Sequence, residues 1–390
     1  MSNNEEQFKT WTKLVRDFDN MGLSEDLLKG VYCYGFDKPS QIQQRAIVAL
    51  SEGNDLIAQS QSGTGKTGAF AIGMLAKIKS NVNSLQGIVL SPTRELAQQT
   101  YLVLKNISLY MNIKIGEFIG GTEVNKDCNK IQDGVHIAVC TPGRLFDLIE
   151  RGYIKTNGVT MFVIDEADQM LSQDFKEQVR KIMSNISQEC QIAIFSATLT
   201  DEVINISSCI MNDPYHILLK ADELTLEGIK QFYVDVDHEN YKFDVLLDLY
   251  QSLNITCAII YINSQKKCDF VYERLINQNF AVSKIHGKME QYRRNEIMKE
   301  FRSGKTRVLL ATDLLARGID VQSVSLVINY DLPKDRDNYI HRIGRTGRFG
   351  RKGNAINLVT SDDRYAISEL EKFYSTTITP LPSDLNSLTT

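Results

Sequence analysis

Two adjacent carboxylates, Asp165 and Glu166, directly follow the apolar run Phe162-Val163-Ile164 in the stretch Asp165-Glu166-Ala167-Asp168. A charged pair at the end of a buried strand is costly unless a cation or water compensates it. A metal ion with a phosphate behind it would do so. Earlier in the chain, Ser62-Gly63-Thr64-Gly65-Lys66-Thr67 offers the matching anion cradle. Glycines let successive backbone N–H groups curl around one anion at a helix N-terminus. Lys66 would reach the terminal phosphates of a nucleotide, while the Thr67 hydroxyl and Asp165 would hold Mg²⁺. Glu166 is then left to orient or deprotonate the attacking water. The general pattern asks for glycine five residues before Gly65, where this chain has Ser60. A plain glycine-rich turn and an acidic helix start that complements the dipole are the competing readings. Both lose ground because the two motifs lie in the same half of the chain.

Hydrolysis of a phosphoanhydride builds negative charge that an inserted arginine stabilises. The run His341-Arg342-Ile343-Gly344-Arg345-Thr346-Gly347-Arg348 places three arginines at spacing three, and residues 341–352 hold five Arg/Lys and no Asp/Glu. That spacing predicts three guanidiniums on nearly one helical face. A solvated basic helix is the alternative.

These residues need rigid supports. Short apolar runs read as strands at 55–59, 87–90, 114–119, 136–140, 161–164 and 191–195, then at 231–236, 257–262, 281–285, 307–311, 324–329 and 355–359. Segments with helical spacing, such as 96–109 and 176–183, lie between them. Apolar strands alternating with helices imply parallel sheets covered on both faces, and the pattern occurs twice. The expected architecture is α/β, with an N-terminal extension at 1–17, a first domain at 18–213, a linker at 214–228 and a second domain at 229–390. Each cluster of chemistry-bearing residues follows a strand, at the carboxyl end where doubly wound sheets bind ligands. Lys66 and Arg345 fall on different domains, so the expected site is split between them.

Bulk properties narrow the partners. The chain has 390 residues, 43% hydrophobic and 24% charged, with net charge −4. It is no polycation, so nucleic-acid binding would rest on local patches. Residues 284–307 carry eight Lys/Arg against three Asp/Glu, which suits a basic patch or a solvated helix face equally. Seven scattered cysteines without a C-x-x-C pair argue against a zinc site or disulfide framework and for a reducing compartment. The polar, acidic start does not read as a signal peptide, and no apolar stretch reaches the roughly 18 residues of a membrane span.

Taken together, these motifs resemble the DEAD-box family of ATP-dependent RNA helicases, superfamily 2, from about Phe18 to Leu381 and in the family's order. The resemblance implies two RecA-like doubly wound parallel-sheet domains, with ATP and Mg²⁺ as ligands. Gly35 to Gln43 resembles the adenine-reading motif, which implies Phe36 on the base, Gln43 on its edge and Phe18 as the upstream aromatic. Pro92-Thr93-Arg94, Gly120-Gly121 and Thr141-Pro142-Gly143-Arg144 resemble the RNA motifs of the first domain. Gln291 and Arg294 resemble the Q-x-x-R motif, and Ala311 to Asp320 resembles motif V. That implies Thr312 on RNA, with Gly318 and Asp320 on nucleotide. Arg345 and Arg348 match the arginine fingers of motif VI, which begins at His341. Ser196-Ala197-Thr198 resembles the motif that couples hydrolysis to unwinding, and Asp168 is its expected partner. The family usually carries alanine where this chain has Ser60.

RNA contacts of this kind are hydroxyls, glycine backbone and a few arginines, which suits a sugar-phosphate track without base readout. The expected activity is an RNA-stimulated ATPase that binds single-stranded RNA and separates short duplexes when the two domains close. The nearly bare core and Asp313-Leu314-Leu315-Ala316-Arg317 resemble the translation-initiation branch. That implies a monomer in the cytoplasm with an initiation scaffold as partner. Gln169, Gln173 and Asp174 depart from that branch. An ATP-locked RNA clamp of the nuclear exon-junction type stays open. A DNA-translocating relative is disfavoured by Gly35 to Gln43.

Overall fold

The computed structural model describes residues 9–60, 63–171, 175–218, 228–253, 255–313, 324–346 and 353–382. The chain falls into two compact units, Met1–Leu224 and Thr225–Thr390. In the first, β1 (Lys9–Thr10), β2 (Leu56–Gln59), β3 (Gly87–Leu90), β4 (Ile115–Phe118), β5 (Ile137–Cys140), β6 (Met161–Ile164), β7 (Gln191–Ser196) and β8 (Tyr215–Leu218) form one sheet. Their spatial order is β1-β8-β2-β7-β6-β3-β5-β4, and every pairing is parallel. The helices are α1 (Glu25–Cys33), α2 (Gln41–Ser51), α3 (Lys66–Leu75), α4 (Arg94–Ile107), α5 (Val124–Gln132), α6 (Pro142–Glu150), α7 (Ala167–Met170), α8 (Lys176–Met183) and α9 (Asp201–Ile210).

Parallel strands covered on both faces are apolar at most positions, which is why they read as nearly continuous runs. The alternation survives in where each side chain points. Val89, Val163, Ala193 and Phe195 join one core, while Ile88, Leu90, Phe162, Ile164, Ile192 and Ile194 join the other. Each fully buried aliphatic or aromatic side chain contributes about 1.5–3 kcal/mol.

The second unit repeats the plan. Its strands are β9 (Ile229–Asp235), β10 (Ala258–Tyr261), β11 (Val282–Ile285), β12 (Val308–Ala311), β13 (Leu326–Asn329), β14 (Gly353–Val359) and β15 (Thr379–Pro380). They run in the order β11-β12-β10-β13-β14-β9-β15, again with parallel pairs. Its helices are α10 (Lys242–Ser252), α11 (Gln265–Asn277), α12 (Gln291–Arg302), α13 (Arg336–Ile343) and α14 (Arg364–Tyr374).

Both ends of the first unit differ from expectation. The linker expected from 214 gives way at once to β8, which hydrogen-bonds along β2. The extension expected at 1–17 supplies β1, paired with β8, and Trp11, which sits in the core edge-on to Tyr215 with centroids 4.9 Å apart. A two-residue edge strand is too short to show a period, so only the pairing reveals it. All seven cysteines are free thiols, and no described helix is long and apolar enough to cross a membrane.

Candidate functional site

The phosphate loop leaves β2 and enters α3. Gly63 and Gly65 adopt φ of +89° and +100°, a region that side chains disfavour, and Gly65 caps α3. The Lys66 Nζ donates to the Ser60 carbonyl at 2.8 Å and lies 3.8 Å from a Glu166 carboxylate oxygen. Ser60, fully buried, shares a 2.8 Å hydroxyl contact with Thr64. The unusual serine is therefore tied into the loop it replaces part of. Thr67 follows on the first turn of α3. Ser62 lies outside the described residues.

The adenine-motif residues press against this loop from α2. Gln43 accepts the Ser40 backbone N–H at 2.9 Å and donates to the Gly65 carbonyl at 3.2 Å. Phe36 stacks near Phe18, with centroids 6.4 Å apart and planes 27° from parallel. A Cβ added at Gly68 would lie 2.9 Å from the Phe36 ring, so base-reading and phosphate-holding residues form one packed block.

Asp165 ends β6, two strands from β2. Its carboxylate is buried and accepts the Glu166 backbone N–H at 2.9 Å. Burial, then the adjacent Glu166, pushes Asp165 up to about 7, against the pull of Lys66. Glu166 itself holds a left-handed backbone, φ 48° and ψ 55°, a conformation costing a non-glycine residue about 1 kcal/mol or more. Two buried carboxylates facing a single lysine suit a divalent cation, so the donor set of Thr67 and Asp165 fits Mg²⁺. Between β6 and β7, the Ser196 Oγ accepts the Asp168 N–H at 3.1 Å, and the Thr198 Oγ1 donates to the Asp168 Oδ2 at 3.0 Å. Ala197 lies between them, its carbonyl accepting from Gln59 of β2. The expected partnership of Asp168 with this motif is thus direct.

The residues of the first unit expected on RNA gather at the other half of the same sheet edge. Pro92, Arg94, Gly120, Thr141 and Arg144 line one open depression of about 440 Å³, together with Phe175 and Gln178 of the α8 region. Thr93 caps α4 by accepting the Leu96 N–H at 3.2 Å, and the Thr141 Oγ1 accepts the Gly120 N–H at 3.2 Å. Gly121 has φ +82°, and a Cβ there would fall 2.4 Å from the Arg94 guanidinium. Arg144 is turned onto Asp127 of α5 and onto Thr122, whose carbonyl accepts from Nη2 at 2.7 Å.

In the second unit, Gln291 and Arg294 occupy the first turn of α12 and are nearly buried, and Thr312 follows β12. Arg342 is wholly buried and bonds Asp313, Asn263, Asn329 and the Asp331 carbonyl. Gly344 ends α13, so Arg345 leaves the helix, and its Nε donates to the His341 carbonyl at 3.0 Å. The expectation of three arginines on one helical face is therefore corrected: Arg342 is a core ligand for its own domain, and the helix stops before Arg345. Gly318, Asp320 and Arg348 lie outside the described residues.

Residues 40–206 match the DEAD/DEAH box helicase family, and residues 241–350 match the helicase conserved C-terminal domain. The chain is 53% identical to the ATP-dependent RNA helicase eIF4A of Pyricularia oryzae, over 97% of this chain and 96% of that one. The chain belongs to the DEAD-box helicase family. It is also 51% identical to eukaryotic initiation factor 4A of Drosophila melanogaster, over 97% of this chain and 94% of the relative. Among solved structures, Dbp5 of S. cerevisiae bound to RNA and ADP BeF3 is similar at a TM-score of 0.90 and 37% identity, covering 96% of this chain and all of that one. Two RecA-like domains follow from these likenesses and from the two parallel sheets.

Sequence reasoning misses several members of this DEAD-box site. Asp127 and Thr122 carry no motif of their own, and only the fold brings them to Arg144. Phe175, just before α8, and Gln178 on it reach the depression, and α8 reads in the sequence as an ordinary amphipathic helix. Ser60 is visible as a departure, but its bond to Thr64 is not.

Proposed function

We propose that this protein is an ATP-dependent RNA helicase of translation initiation, which binds single-stranded RNA without sequence preference and separates short duplexes as it hydrolyses ATP. The observation that carries the reading is the division of one sheet edge. Phosphate-loop, carboxylate and coupling residues follow β2, β6 and β7, and the candidate RNA residues follow β3, β4 and β5. The curated relatives named eIF4A match over nearly their whole length, which supports both the activity and the pathway.

In this reading Phe36 and Gln43 hold the adenine, and the glycine loop with Lys66 holds the phosphates. Thr67 and Asp165 hold Mg²⁺, which when bound offsets phosphate charge. Glu166 takes a proton from the attacking water, and Arg345 and Arg348 offset the charge that develops. Gly318 and Asp320 complete the nucleotide contacts. Gln291, Arg294 and Thr312 extend the RNA track, and His341 links it to the arginines. Because the roles proposed for ATP and for RNA both draw on residues of the two units, ATP and RNA binding should be coupled. The proposal includes a cytoplasmic monomer working with an initiation scaffold protein; the names of the relatives bear on translation initiation alone.

The test is ATP hydrolysis with and without unstructured RNA, alongside release of a labelled strand from a short duplex. Stimulation by RNA and ATP-dependent strand release are expected. Equal hydrolysis rates with no strand release would remove the proposal.

A further inference from the structure

We propose that Asp127, with Thr122, is a positioning residue for RNA: it fixes the Arg144 guanidinium so that its unspent donor edge meets a backbone phosphate. This rests on the RNA-binding reading above and names a determinant within it. The observation behind it is an inversion of the usual helix pattern. α5 is a nine-residue helix whose fully buried side chain is a carboxylate, Asp127. An ordinary covering helix buries aliphatic groups. A buried ion pair is a poor stabiliser compared with apolar residues of the same volume, so stability alone does not account for it.

The donor count shows what the pair achieves. A guanidinium carries five N–H groups. The Arg144 Nη1 donates to the Asp127 carboxylate and, at 2.9 Å, to the Thr122 Oγ1, while Nη2 donates to the Thr122 carbonyl at 2.7 Å. The end-on fork is thereby spent on Thr122, and the outer Nη1 proton on Asp127. What remains is Nε–H with the second Nη2–H, a parallel pair without a partner among the described residues. That fork matches two oxygens of one phosphate. Arg144 lines the same depression as Pro92, Arg94, Gly120 and Thr141. Asp127 also lies 3.8 Å from Lys130, so it is fixed from both sides. Without its carboxylate the guanidinium keeps its charge but loses its orientation, and the phosphate must bear the cost of ordering it.

The experiment measures binding of a short single-stranded RNA by anisotropy across a salt series, with KM for RNA and for ATP from steady-state hydrolysis. Asp127→Asn should weaken RNA binding on the order of tenfold and flatten the log–log salt slope by about 0.7, one phosphate's worth. It should raise KM for RNA and leave KM for ATP, read at saturating RNA, in place. Asp127→Glu, which restores the carboxylate, should recover most of the loss. Affinity and slope within twofold of wild type would overturn the proposal. So would parallel rises in both KM values with an unchanged slope, the signature of a merely structural role. Should Asp127→Asn fail to fold, Thr122→Val at an exposed position removes one anchor of the same guanidinium. It should weaken binding about threefold, and unchanged binding overturns the proposal. If the wild-type protein binds no RNA, the functional reading and this inference fall together, whereas wild-type binding with an indifferent Asp127→Asn removes the inference alone.

Discussion

Gly65→Ala tests the phosphate loop where it packs against the adenine-motif residues. Gly65 sits at φ +100°, and a Cβ there would lie 2.8 Å from the Gln43 Nε2 and 2.9 Å from the Ser40 Oγ. Holding an alanine in that backbone region costs about 1–3 kcal/mol. Relieving the contacts by displacing Gln43 and Ser40 adds about 1 kcal/mol at the lower end of overpacking effects. The loop holds this form already without ligand, so an alanine variant that keeps it loses thermal stability. A variant that relaxes out of it spares the fold, and nucleotide binding must then restore the strained form at about 2–4 kcal/mol. At about 1.4 kcal/mol per decade, that weakens ATP binding roughly 30- to 700-fold. Titration with a fluorescent ATP analogue reads the loss directly, and RNA binding without nucleotide serves as the control. Nucleotide affinity within threefold of wild type, with an unchanged thermal midpoint, would show that the loop holds no such strain, and the reasoning would fail.

Glu166→Gln should keep ATP-dependent RNA binding while single-turnover hydrolysis falls about 10²- to 10⁴-fold, the usual worth of a positioned base; normal turnover would remove Glu166 from that role. Thr198→Val breaks the 3.0 Å bond to Asp168, a charge-assisted contact worth about 1.5–3 kcal/mol. RNA-stimulated hydrolysis should persist in this variant while strand release from a short duplex drops, and equal losses in the two assays would deny the coupling role. Burial depresses His216 to about 4, so between its ordinary value and that point the unfolded chain binds a proton that the folded first unit does not. Stability should therefore fall as pH drops from about 6.5 toward 4, by on the order of 3 kcal/mol at the acid end. Urea unfolding followed at Trp11 measures this, and His216→Gln should flatten the profile.

Much of the fold is legible because its signals are local. Most interior strands of both sheets announce themselves as short apolar runs, since burial on two faces leaves little room for polar residues. The edges are harder. β1 and β15 have two residues each, and β8 follows Pro214 where the pattern looks interrupted, so their membership depends on pairing that no window of sequence contains. The arginine run illustrates the same limit. Spacing of three is a helical signal, but α13 ends at Ile343, and the acceptors of Arg342 come from three separate segments.

The chemistry is readable along the chain: a glycine loop with Lys66, adjacent carboxylates at a strand end, and arginines without acidic neighbours. Those depend on residue type and covalent spacing, which the chain carries wherever it folds. The division of that chemistry comes from the fold. Strand order β2-β7-β6-β3-β5-β4 sets nucleotide residues on one half of an edge and candidate RNA residues on the other, although along the chain the RNA motifs fall between the two sets of nucleotide motifs. The same order brings Thr198 to Asp168, and the loop and helix after β4 bring Asp127 to Arg144. Neighbours in a parallel sheet are chosen by hydrogen bonding and two-sided burial between segments far apart in sequence, so no spacing along the chain records them.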